Sequence, residues 1–428
     1  MIGFVRSFPV RLGRLVRRRP RSAVLVVAAV VVAAAGAFYG YAVREWRHAV
    51  AAVRDARPSE ARDRLNLCLK VWPNDPAVHR LAARAAWQTG DLRFAEEQLN
   101  ECLRLEHGAS EDTQLEFLLM RTRTGELPEV VPLLYDFVAR GHPDSAVILE
   151  TIASAYMHDL RYHEAYLALN RWVLVAPDSP RAYHFRGWVL ERLNQAAGAM
   201  DDYLKALELD PNRTVVRLRV AELYLDDKDP VQALPHIEFL LAQDPNRPET
   251  RARLGQCRYL QGRPAEARQL LEAVVNDLPN DTKVLLYLAK LDIDDGRADR
   301  AADYLRRVLA LEPSELEAKF VLVTALRTQG RDAEADAELA DYNRQRVELE
   351  RVDSLLLAEA KAPSRDPQVA YEIGALLLRI HREPQGIHWL TEALDRDPNH
   401  RPSHRLLAEY FETHGEPDRA AVHRNYLK

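Results

Sequence analysis

What the chain has little of narrows the reading first. Its 428 residues include three cysteines, Cys68, Cys102 and Cys257, too few and too scattered for a disulfide framework or a zinc knuckle. Lysine is scarce as well, with 8 Lys against 51 Arg, a bias that fits a high-GC bacterial genome better than a selected binding chemistry. No basic body is present. The formal net charge is −5, and residues 1 to 21 hold seven Arg and no acid, so the remainder is more acidic than the total suggests. A general nucleic-acid binder would carry the opposite sign along its body. No phosphate-cradling loop, nucleophile elbow or HExxH helix occurs, which argues against catalysis. Apolar residues, at 47%, are plentiful enough for a sizeable core.

One uncharged run stands out, from Ser22 to Val43. As a helix, Ala23 to Val43 would rise about 31 Å, near the hydrocarbon thickness of a bilayer. Its seven Val, one Leu and one Phe favour insertion by roughly 3 to 5 kcal/mol. Arg6, Arg11, Arg14, Arg17, Arg18, Arg19 and Arg21 precede it, against Arg44, Arg47, Arg54 and Arg57 after it. The bias predicts a cytoplasmic basic leader over residues 1–22, a signal-anchor transmembrane helix over 23–43, and the rest of the chain on the periplasmic side of a bacterial inner membrane. Ala35-Gly36-Ala37 keeps a cleaved signal peptide open, with a mature N-terminus at Phe38.

Beyond the run, Pro177, Pro211, Pro245, Pro279 and Pro313 recur every 34 residues, and a fixed period of that size means a solenoid. Aligned on these prolines, the eighth residue of a unit is small: Ala49, Ala83, Ala153, Gly187, Ala221, Gly255, Ala289, Gly374 and Ala408. The twentieth is Ala61, Ala95, Ala165, Ala199, Ala233, Ala267, Ala301, Ala335 and Ala420, with Gly386 and Val130 as variants. A large apolar residue follows four positions on, from Leu65 to Leu390. Small residues let two helices approach and large ones fill the gap. Ala267 is therefore expected at a close helix contact and its neighbour Arg268 at the surface.

These small, apolar and proline positions resemble the tetratricopeptide repeat family, whose unit is a pair of antiparallel helices. The resemblance covers residues 42–428 and implies an all-α, right-handed superhelical solenoid of about eleven helix-turn-helix repeats, preceded by the one transmembrane helix. The units begin at residues 42, 76, 111, 146, 180, 214, 248, 282, 316, 367 and 401, with a 17-residue insertion between the units starting at 316 and 367. No Gly or Pro occurs from Arg331 to Ala362, so one helix of up to about 45 Å could run there. It is either an overlong second helix packed on repeat ten or a hinge or dimer contact through Val352, Leu355 and Leu356.

Candidate metal sites are thin. Asp292-Ile293-Asp294-Asp295-Gly296 resembles the start of a calcium loop, but its glycine comes one residue early. His400 and His404 lack a third ligand, and Cys68 and Cys102, at equivalent positions of neighbouring repeats, read as core. No cofactor or metal is expected.

What remains is surface. The resemblance implies that the first helix of each unit lines a concave face through its second, fifth, ninth, twelfth and thirteenth residues. It assigns partner binding to Arg80, Arg84, Trp87, His184, Trp188 and Tyr259, with Glu222, Gln256, Lys290 and Arg192 on the same face. The Lys and Asn pairing with which some members clamp a C-terminal carboxylate is absent. The expected function is a membrane-tethered protein-interaction scaffold that binds a peptide segment or another subunit, with no nucleic acid and no small-molecule substrate. Rival readings are a component of an envelope assembly or polysaccharide-export machine, and a non-catalytic helper of a glycosyl-transfer enzyme. Repeats reaching Lys428 leave no room for a catalytic domain, so no enzymatic activity is expected.

Overall fold

The structure, a computed structural model, describes residues 20–428 apart from residues 56, 194 and 363, and leaves out the side chains of 20–27 and 360. Most of the expected basic leader therefore lies outside the described residues. Within them the chain forms 22 α-helices, one short 3-10 turn and no strand. The helices pair in sequence, and we call the two of each repeat A and B. Two compact units result: Met1–Pro143, which holds repeats one to three, and Asp144–Lys428, which holds repeats four to eleven.

Local chemistry sets the helix ends. Asp281 caps helix A of repeat eight, Thr282–Asp294, by accepting the Val284 N–H at 2.9 Å, and Asp91 caps helix B of repeat two in the same way. Such a cap is worth about 1 kcal/mol. The Asp-Pro-Asn turns share one device: the carboxylates of Asp210, Asp244 and Asp397 accept the N–H of Asn212, Asn246 and Asn399 at 3.0–3.1 Å, while proline stops the preceding helix.

Between the two helices of a repeat the small positions are fully covered. All nine alanines at the twentieth position are buried without residue, and Leu99, Leu169, Ile237, Leu271 and Leu305 fill the space four residues on. Arg268, expected at the surface, is instead three-quarters or more buried by its ion pairs. It donates to Asp292 at 2.8 Å and to Asp295 at 2.7 Å, joining Arg297 and Arg300 around the fully buried Asp292 carboxylate.

Helix B of repeat nine is the overlong one, Asp332–Lys361. Val352 is buried against Ile373, Leu376, Leu377 and Ile380 of repeat ten, and Leu355 and Leu356 pack on the same cluster. The insertion thus extends a core within the chain.

Repeat one has a first helix far longer than its register asks for: Pro20–Arg54, 35 residues without a break. Ala49 and Ala52 pack it on helix B of that repeat, Pro58–Val71, and Glu45 accepts from Arg64 at 2.7 Å. Residues 28–41 are all exposed. Among the described residues no helix is long and apolar enough to cross a membrane; the first five side chains of the expected span, 23–27, lie outside them.

Candidate functional site

In the first unit the expected binding residues are spent on packing. Trp87 is 3% exposed and donates its indole N–H to Glu116 at 3.1 Å. The same carboxylate, itself buried, accepts from Arg84 Nε at 2.7 Å. Arg80 pairs with Glu106 and lies 3.6 Å from Asp112. Burial pushes the Glu106 carboxyl up, but N–H and hydroxyl donors from Ser110 and Thr113 outweigh it and hold it below its ordinary value. Two carboxylates of the next repeat boundary thus neutralise two arginines. Glu116, the sixth residue of repeat three, carries this arrangement and was not legible as a site residue, because its role depends on what faces it from repeat two.

The second unit repeats the pattern. Side chains at the ninth position of one A helix reach the sixth position of the next: Arg84 to Glu116 in the first unit, then Glu222 to Arg253 at 2.8 Å and Gln256 to the Tyr287 hydroxyl at 3.4 Å. Arg219 adds a further link, donating to Glu191 at 2.9 and 3.1 Å and to Glu222 at 3.0 Å. Arg253 continues to Asp281 at 2.9 Å. From Tyr203, whose hydroxyl donates to Glu191, an unbroken chain of charge-assisted bonds runs to the cap of repeat eight.

Beside that chain lies a pocket of about 440 Å3, lined by His184, Trp188, Glu191, Arg192, Tyr203, Val215, Leu218, Arg219 and Glu222. It sits between helix A of repeat five, Pro180–Arg192, and helix A of repeat six, Thr214–Asp226. Its floor is aromatic and aliphatic. Trp188 rests edge-on against Tyr162 with ring centroids 5.9 Å apart, and Val215 is 63% exposed. Burial, with Arg213 and Arg181 nearby, lowers the His184 pKa to about 4, so its ring is neutral at neutral pH. Glu191, Arg219 and Glu222 satisfy one another. Arg192 stands 4.8 Å over the Trp188 ring and, among the described residues, has no carboxylate partner.

Tyr259 is placed away from this pocket. Its ring meets Tyr287 at 5.1 Å, and Lys290 lies 4.3 Å over Tyr287 while pairing with Glu317 at 2.7 Å. Burial pulls the Lys290 ammonium below its ordinary value. Lys283 pairs with Asp226 at 3.1 Å and Lys228 with Glu317 at 3.5 Å, so three of the chain's few lysines meet around two carboxylates.

The structure therefore brings His184 and Trp188 together and sets Arg80, Arg84, Trp87 and Tyr259 elsewhere. The remaining candidates resolve into structure. Among the described residues no group of His, Cys, Asp and Glu could hold a metal ion; Asp292 is occupied by three arginines, and His404 faces His423 at 2.9 Å and the Pro398 carbonyl at 3.0 Å. Cys68 and Cys102 are both buried free thiols, and burial pushes Cys102 up to about 12.

Sequence profiles described as tetratricopeptide repeat match residues 180–213, 224–291 and 287–346. The chain carries tetratricopeptide repeats within residues 180–346. It is similar to the human protein O-mannosyl-transferase TMTC3, 29% identical over 109 residues, which are 25% of this chain and 12% of that one. Among solved structures it is similar to MamA from Desulfovibrio magneticus RS-1, 22% identical, covering 40% of this chain and 97% of that one with a TM-score of 0.35. A tetratricopeptide repeat protein from Parabacteroides merdae is 16% identical, with 67% of this chain and 98% of that one covered and a TM-score of 0.35.

Proposed function

We propose that this repeat protein is an interaction scaffold that takes an extended segment of a partner protein across repeats five and six, and that it binds without transforming what it holds. The observation carrying this reading is the pocket itself. Its acids and Arg219 are saturated by one another, while Trp188, Val215 and Leu218 offer apolar surface and Arg192 offers one unbalanced charge. A complementary segment presents an apolar side chain next to an acidic one. Aromatic and Arg residues of this kind supply most of the energy at protein interfaces.

A tether to a bilayer completes the proposal. Residues 28–41 are exposed on every side of an uninterrupted helix and carry no charge, with arginines on both flanks, the arrangement that lipid favours. The solenoid would then stand on the periplasmic side of a bacterial inner membrane. A reporter active only outside the cytoplasm, fused after Lys428, tests orientation; activity of a cytoplasm-only reporter there overturns it. Recovery of the full chain in the soluble fraction overturns the tether.

Partner capture from detergent extract, with Trp188→Ala and Arg192→Glu chains beside the parent, tests the pocket. Loss of the same captured protein with both variants, while both remain folded, is the expected result. Equal capture by all three chains removes the pocket from the site.

A further inference from the structure

Among the described residues, the turn between the helices of a repeat has its fifteenth residue in the left-handed region. Six repeats place glycine there, as Gly90, Gly125, Gly262, Gly296, Gly330 and Gly415, because a β-carbon is strained at positive φ. Repeat ten has His381 there at φ 60°, repeat four Leu160 at φ 61° and repeat six Lys228 at φ 59°. The side chains of Leu160 and Lys228 reach far along the chain. Lys228 meets Glu317 of repeat nine. Leu160 packs on the buried cluster of Ile387, Leu390, Leu407, Phe411 and Ala420 in repeats ten and eleven.

The contact around Leu160 is more than one side chain. Tyr162, 3% exposed, opens helix B of repeat four and faces the His388 ring of repeat ten at 6.1 Å; His388 is 8% exposed. Tyr162 also meets Trp188 edge-on. His388, Tyr162, Trp188 and Arg192 thus form a continuous series of ring contacts from repeat ten to the pocket. Repeats four to ten follow one another by neighbour contacts, so a fourth repeat that touches the tenth closes the circuit within the second unit.

We infer that the Leu160 turn is an intramolecular latch: it docks repeat four onto repeats ten and eleven, and through Tyr162 it holds the Trp188 wall of the pocket in place. Leucine stands at a conformation that suits glycine because its side chain is the bolt. Access to the pocket is then regulated by whether the second unit is latched. This consequence rests on the pocket being the binding site, but the latch itself is read without any partner.

The turn conformation and the latch make opposite demands on one substitution. Leu160→Gly relieves the backbone and removes the bolt. Amide hydrogen exchange of the full-length chain in detergent is the measurement, with Lys228→Gly, the same change at an exposed ion pair, as the control. We expect exchange over residues 383–396 and 184–192 to quicken at least tenfold in Leu160→Gly and to be unchanged in Lys228→Gly. Leu160→Asn, which tolerates the same backbone but is short and polar, should behave as Leu160→Gly does. Unchanged or slower exchange over 383–396 in both Leu160 variants overturns the latch. Faster exchange over 383–396 with no change over 184–192 overturns its reach to the pocket. Failure of Trp188→Ala to alter partner capture would leave the exchange result standing.

Discussion

Gly374 and Gly386 face each other across the helix pair of repeat ten: a β-carbon on Gly374 would lie 2.9 Å from the Gly386 carbonyl oxygen, and one on Gly386 would lie 3.1 Å from the Gly374 carbonyl oxygen. Leu390 closes the same gap, 2.8 Å from the Gly374 β-carbon position. Two backbones therefore approach where repeat ten pairs glycine with glycine and most other repeats carry at least one alanine. Gly374→Ala should destabilise the fold by about 1 to 3 kcal/mol, since the obstacle is backbone and cannot rotate away. Gly198→Ala, whose nearest neighbour is the Leu190 side chain at 3.4 Å, should be neutral or gain up to about 1 kcal/mol of helix propensity. Thermal unfolding of the two variants separates the outcomes, and equal effects would refute the close approach.

Glu116 serves three donors at once, so Glu116→Gln should cost more than any exposed acid in the first unit. Removing one partner of a buried pair leaves the other charge stranded, at about 3 kcal/mol or more. Asp112→Ala, at a side chain 61% exposed and 3.6 Å from Arg80, should cost less than about 1 kcal/mol. Denaturant titration of both chains tests the contrast.

Asp292 sits where a calcium loop was conceivable. Burial opposes its ionisation, but hydrogen bonds from Arg300, Arg268 and Arg297 prevail and hold its carboxyl below the ordinary value. Its contribution to stability is therefore whole above about pH 4 and is lost as the pH falls further. Asp292→Asn should destabilise by about 3 kcal/mol or more at neutral pH, and millimolar calcium should leave the melting temperature of the parent unchanged. A calcium-dependent rise would restore the ion-site reading.

Small and large residues at fixed positions were readable because the contact they make is between the two helices of one repeat, only twelve to sixteen residues apart. Gly255 against Leu271 is of that kind. The pairing of Arg84 with Glu116, or of Arg268 with Asp292, is between repeats and joins different residue types from one repeat to the next, so nothing in the small-and-large pattern marked those arginines as satisfied. Trp87 and Trp188 occupy the twelfth and ninth positions of their repeats, and that difference of three residues turns one into the core and leaves the other half-buried at a pocket. Leu160 carried no sequence signal at all, because its partners lie more than two hundred residues away.

Acid should weaken the second unit before it affects its carboxylates. Burial lowers the pKa of His388 from 6.5 to about 4, so the folded state holds the neutral ring and the unfolded chain binds the extra proton. The stabilisation is complete above pH 6.5 and declines as the pH falls towards 4, by about 2 kcal/mol between pH 7 and pH 5. His184 and His423, also lowered to about 4, act in the same direction. Melting temperatures across pH 5 to 7 should fall with acidity, and His388→Gln should show a smaller fall. An identical slope would assign the effect to the other two histidines.

The first helix has a rotational phase as well as a length. Because Pro20–Arg54 runs without a break into the packing of repeat one, Ala49 and Ala52 fix its angle about its own axis. Each residue added between Gly40 and Ala42 would turn everything before it by about 100° and displace it by about 1.5 Å. A single inserted alanine would therefore aim the amino-terminal segment in a different compass direction, and three or four would restore the heading one turn further out.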